Sequence, residues 1–125
     1  MSIVLDDQDY ILGVWSANGP THNILILVLR KSDARWHFHV RVREYLDDKI
    51  WEESKDVKSF HEWTMGPDVT EEIMIQSASD IIRMSSEFYE AWDVHYALVQ
   101  STDKDVFNRI IQSLPGFHTQ IRTVH

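Results

Sequence analysis

The chain contains no cysteine. Disulfides, thiolate zinc sites and cysteine nucleophiles are therefore excluded. No apolar run approaches the ~18 residues that span a bilayer. The opening MSIVLDDQDY has neither the basic n-region nor the long apolar h-region of a signal peptide. Glycine is scarce, and Gly13, Gly19, Gly66 and Gly116 build no phosphate-cradling loop and no Gly-x-Ser-x-Gly elbow. Bases are scarce as well: 12 Lys and Arg stand against 20 Asp and Glu, a formal net charge of −8. That balance lacks the positive footprint of a nucleic-acid binder. A soluble, cytoplasmic protein without a membrane span is expected.

What is present suits a globular chain. In 125 residues, 43% are hydrophobic and 26% charged, enough apolar surface to offset the entropy of folding. No linker and no internal repeat is visible, so a single domain over 1–125 is expected. The charge is segregated. Residues 30–43 carry five bases against one acid, and residues 44–72 carry ten acids against three bases. Two such segments neutralise each other if they become neighbouring strands.

Hydropathy patterning divides the chain in two. Tyr10–Ala17 reads as a strand, and Asn18-Gly19-Pro20 as a turn. Asn23–Leu29 contains ILILVL, a run expected of a strand buried on both faces. After the polar turn at 31–34, Arg35–Tyr45 alternates: Trp36, Phe38, Val40 and Val42 on one side, His37, His39, Arg41 and Arg43 on the other. Val57–Thr64 completes an antiparallel set of four. Beyond Gly66-Pro67, the spacing predicts an amphipathic helix over 69–89, with Asp68 as N-cap and Glu71 closing a capping box. Asp93–Gln100 reverts to strand composition, although it could also continue that helix. Val106, Phe107, Ile110, Ile111 and Leu114 share one face of a second helix, capped by Ser101 or Thr102 and ended by Pro115-Gly116. Phe117–Val124 alternates weakly as a last strand, parallel to Asp93–Gln100 if a right-handed crossover joins them in one sheet. The fold class is α+β: a mostly antiparallel sheet with a four-strand N-terminal half and a helix-strand-helix-strand C-terminal half, both helices packed on one face.

The candidate site is the His37, His39, Arg41, Arg43 face. Two residues apart on a strand, His37 and His39 stand ~6.6–6.8 Å apart at Cα, within reach of one metal ion. Zinc needs a third protein ligand, for which His61 or Glu62 is nearest, with His22 and His95 further candidates. His61-Glu62-Trp63-Thr64-Met65 starts like a His-Glu-x-x-His motif but ends in Met and lies on a strand. Arg41 and Arg43 add planar donor forks suited to phosphate or carboxylate, so the four residues form a candidate anion or acidic-partner surface. Among the tryptophans, Trp15, Trp36 and Trp63 read as core and Trp92 as a cap on helix packing. Trp51, with Ile50, sits in a charged connection and is a candidate partner anchor. No catalytic motif and no cofactor motif stands out. The reading that explains most is a small acidic interaction or regulatory domain, non-enzymatic, binding a protein partner or itself, as an edge strand can. The alternative is a small-ligand or metal-binding α+β domain, an enzyme included, using the His/Arg face.

Overall fold

The computed structural model describes residues 3–44, 55–66, 68–114 and 121–123. The element order is β1 (Ile3–Leu5), β2 (Tyr10–Asn18), β3 (His22–Arg30), β4 (Trp36–Glu44), β5 (Lys55–Met65), α1 (Glu71–Tyr89), β6 (Asp93–Ser101), α2 (Lys104–Ser113) and β7 (Ile121–Thr123). This is an α+β fold. Strands β2 to β5 form the antiparallel meander that the patterning predicts, and β6 adds beside β2, giving the order β5-β4-β3-β2-β6. The segment 93–101 is thus strand, not a continuation of α1. No helix among the described residues is long and apolar enough to cross a membrane.

The two helices do not share a face. Met74, Ala78 and Ile82 of α1 pack on Trp15, Ile24, Ile26, Val28, Trp36 and Phe38. Phe107 of α2 packs on the other side, with Leu5, Ile11, Val14, Leu25, Leu27 and Leu29. The cause is already in ILILVL: alternate residues of β3 enter opposite cores, so a strand this apolar needs cover on both sides. Full burial of one such side chain stabilises the fold by ~1.5–3 kcal/mol.

The last strand also differs from expectation. Strand β7 does not join β6 in one sheet. It pairs in parallel with β1, a strand not predicted, through Ile3↔Ile121, Val4↔Arg122 and Leu5↔Thr123.

Both helix starts lie slightly beyond their predicted caps. Thr70, with an extended backbone, caps α1: its hydroxyl accepts from the Ile73 N–H at 3.3 Å, in place of Asp68. Asp103 caps α2, its Oδ1 accepting from the N–H groups of Asp105 (2.9 Å) and Val106 (3.4 Å), in place of Ser101 or Thr102. Each satisfies backbone donors that a helix start leaves without partners. Helix α1 ends where Glu90 turns left-handed (φ 55°) and the Ala91 N–H returns to the Ser86 carbonyl at 2.9 Å. The β2–β3 hairpin rests against this turn. A Cβ on Gly19 would stand 2.7 Å from the Glu90 carbonyl oxygen and 2.8 Å from Ala91 Cα, so only glycine permits the approach.

Candidate functional site

The structure gathers His37, His39, Arg41 and Arg43 on one side of β4, as the alternation predicts. Register places them beside Leu29, Leu27, Leu25 and Asn23 of β3, on the α2 side of the sheet. They are not exposed. Arg41 retains 1% of its accessible surface, and His37, the most open of the four, 8%. Alternation reveals which residues share a face; whether that face meets water depends on cover from elsewhere in the chain. The His37 and His39 rings are stacked 6.5 Å apart at 15°. His37 Nε2 lies 3.6 Å from Asp33 Oδ2. The Asp33 carboxyl is held below its ordinary range, first by the Arg35 N–H, which donates to it at 2.9 Å, and further by the neighbouring His37.

Strand β5 brings the acidic segment beside the basic one. Asp56 pairs in register with Arg43, Glu62 with His39, and Lys55 with Glu44. His61 pairs with Val40, one of the apolar positions of β4, rather than with either histidine of the proposed metal set. Among the described residues no group of three or more His, Asp or Glu is placed to hold a metal ion. The His61 side chain, Ile50 and Trp51 lie outside the described residues.

A second location was not predicted from the sequence. Helix α1 lies over β2 and β3 and stops short of β6, while α2 packs on the other side of β6 against Ala97 and Val99. Val94, Tyr96 and Leu98, which alternate with those two, are left uncovered on the α1 side. Their exposures are 43%, 63% and 40%, and Trp92 just before the strand is 66% exposed. Trp92 therefore does not cap the helix packing; Ala91 takes the buried position after the turn and Trp92 points outward. A groove of about 380 Å³ runs between α1 and β6, walled by Ile82, Arg83, Ser86, Trp92, Val94 and Tyr96, with Trp15 also lining it. Beside the groove is a sheet edge: among the described residues β6 pairs only with β2. The sequence signal was available, because residues 94, 96 and 98 are as apolar as 97 and 99. One helix cannot cover both sides of such a strand.

One other buried charged group, Lys104, ties elements together. Lys104 Nζ donates to the carbonyls of Asp9 (2.7 Å), Thr102 (2.7 Å) and Asp7 (3.3 Å). Burial pushes its pKa down, against the pull of Asp9, Asp7 and Asp103. All three ammonium protons are thereby committed, and the lysine pins the turn before β2 to the start of α2.

Comparison with known proteins finds no matching family model, no matching curated protein and no matching solved structure.

Proposed function

We propose that this chain is a small acidic interaction domain, acting without catalysis, that binds a protein partner or a second copy of itself along the open side of β6. The observation that carries the reading is the row Trp92, Val94, Tyr96, Leu98, apolar and exposed beside a sheet edge. Monomeric domains rarely leave such a row in water unless something covers it. Trp and Tyr are the side chains that most often anchor interfaces. A free edge supplies backbone donors and acceptors to an incoming strand, and an alternating apolar row supplies its specificity. The test compares proteins retained by the immobilised wild type with those retained by Trp92→Ser and by Tyr96→Lys. Loss of specific bands in both variants, with circular dichroism unchanged, supports the reading. An identical retained set rejects it.

A small-ligand or metal-binding domain remains the second reading, favoured by one observation: His37, His39, Arg41 and Arg43 are gathered on one face away from water. An arginine fork holds an anion most strongly where water is excluded. Native mass spectrometry on protein purified without chelating resin tests it. Bound mass lost on His37→Ala and His39→Ala would favour this reading over the first, and a bare chain mass would remove it.

A further inference from the structure

We infer that the occupant of the β6 edge is a second copy of this chain, paired antiparallel through β6 about a twofold axis at Tyr96; this rests on the reading of that edge as an interaction surface. Four features of the strand point to self-pairing. Its nine residues, Asp93–Ser101, include no Lys, Arg or Pro, the residues with which edge strands usually block pairing. The apolar residues of the strand's open face are symmetric about Tyr96: with Tyr96 opposite Tyr96, Val94 falls opposite Leu98, while Trp92, just before the strand, falls opposite Gln100. The same register sets no charge against its like, since Asp93 falls opposite Val99 and His95 opposite Ala97. Centring on His95 instead would set Leu98 opposite Trp92 and Val94 opposite Tyr96, but would oppose the two His95 rings on the other face.

Area is the fourth feature. At 66% and 63% exposure, Trp92 and Tyr96 each leave on the order of 150 Å² in water, and Val94 with Leu98 adds on the order of 130 Å². Two such patches hold on the order of 860 Å² of exposed surface, to which the two paired strand edges add, against the ~1,200 Å² at which stable interfaces begin. The product is a continuous ten-stranded antiparallel sheet. Because α1 sits over β2 and β3, it and its copy stand about four strand spacings apart, ~19 Å. That is twice the distance of packed helices. The seam between them is filled by Tyr96, Trp92 and Arg83 of both copies.

The absence of native cysteine makes the register directly testable. In the full chain, Tyr96→Cys places its sulfur opposite its own copy, with Cα atoms ~4.5–5.5 Å apart, within disulfide reach. Leu98→Cys alone lies ~13 Å from its copy along the strand. Mild oxidation is expected to link Tyr96→Cys into a dimer, to leave Leu98→Cys and Val94→Cys monomeric when separate, and to link those two when mixed. Light scattering and native mass spectrometry from about 1 to about 100 µM are expected to show a concentration-dependent dimer. The double substitution Tyr96→Lys with Leu98→Lys should abolish that dimer without changing the circular dichroism.

A wild type that stays monomeric throughout overturns self-pairing, as does a dimer that the double lysine variant leaves intact. If the monomeric wild type still retains proteins that the double lysine variant loses, the interaction reading stands and only self-pairing falls. If it retains none, both fall. Should the double variant not fold, the cysteine register decides the question alone.

Discussion

The Tyr10 hydroxyl donates to Glu71 Oε1 at 2.5 Å, joining the start of β2 to the first turn of α1. The Arg30 guanidinium stacks 4.9 Å from the Tyr10 ring centroid and 5.0 Å from that of Trp36, whose indole N–H donates to the Val69 carbonyl at 2.8 Å. The N-terminal end of α1 is thus fastened to the sheet by two aromatic side chains and one cation.

This contact makes stability fall in alkali. Burial, and then the bond to Glu71, push the Tyr10 phenol from its ordinary 10.0 to about 12. Between those values the unfolded chain has released the proton and the folded chain still holds it. The contribution is therefore complete below pH 10 and lost as pH rises toward 12. Tyr10→Phe is expected to cost about 1 kcal/mol at pH 8 and to flatten the decline between about pH 10 and 12. Urea denaturation across that range checks both, and an unchanged slope would refute the assignment.

Arg41 has 1% of its surface accessible, so its role is first structural. On an exposed face, Arg41→Glu with Arg43→Glu would weaken binding and spare the fold. In the interior, Arg41→Glu alone is expected to cost about 3–5 kcal/mol, because an uncompensated charge is left buried. Thermal unfolding followed by circular dichroism measures this; a loss under about 0.5 kcal/mol would show the position to be effectively at the surface.

Two glycines make a matched pair. Gly19→Ala drives a methyl to 2.7 Å from the Glu90 carbonyl, whereas a Cβ at Gly66 meets nothing within 4 Å. The first should destabilise by about 1–3 kcal/mol, and the second should stay within about 0.5 kcal/mol. Equal effects in denaturant titrations would contradict the close approach of the hairpin to the end of α1.

Lys104→Met keeps much of the side-chain volume but strips three carbonyls of their donor. An expected loss of about 1–3 kcal/mol follows from leaving them unsatisfied, with faster amide exchange in the turn at 6–9 as the local signature. Unchanged exchange there would mean that the lysine fastens nothing.

Local pattern carried much of the architecture. The period of two in Trp36–Glu44 is strong enough to assign every side chain of β4 to its face, and the apolar spacing of 106–114 fixes the packed side of α2. Where the sequence misled, the deciding fact was long-range. The His/Arg row alternates as an amphipathic strand does, yet it lies in the interior. ILILVL in β3 implied cover on both of its sides, and placing both helices on one face conflicted with it. Strands β1 and β7, three residues each, are too short to show a period. Asp68 and Thr70 are both good caps by type; the extended backbone at Thr70 and its hydroxyl bond to the Ile73 N–H select between them. Val94, Tyr96 and Leu98 are core residues by type, and only the placement of α1 over β2 and β3 leaves them exposed.

The pairing of β2 with β6 also constrains how the molecule forms. Trp15 stands opposite Tyr96 and Gly13 opposite Leu98, so the sheet acquires its fifth strand from a segment far along the chain. The β2–β3 and β3–β4 hairpins close over residues 19–21 and 31–35, and local closure is fast. A chain emerging from the ribosome therefore carries β2 as a bare edge until residues 93–101 have been made, and Ile11 and Val14 stay uncovered until Phe107 of α2 follows. That interval of exposure is when a nascent copy is most open to pairing with the wrong strand.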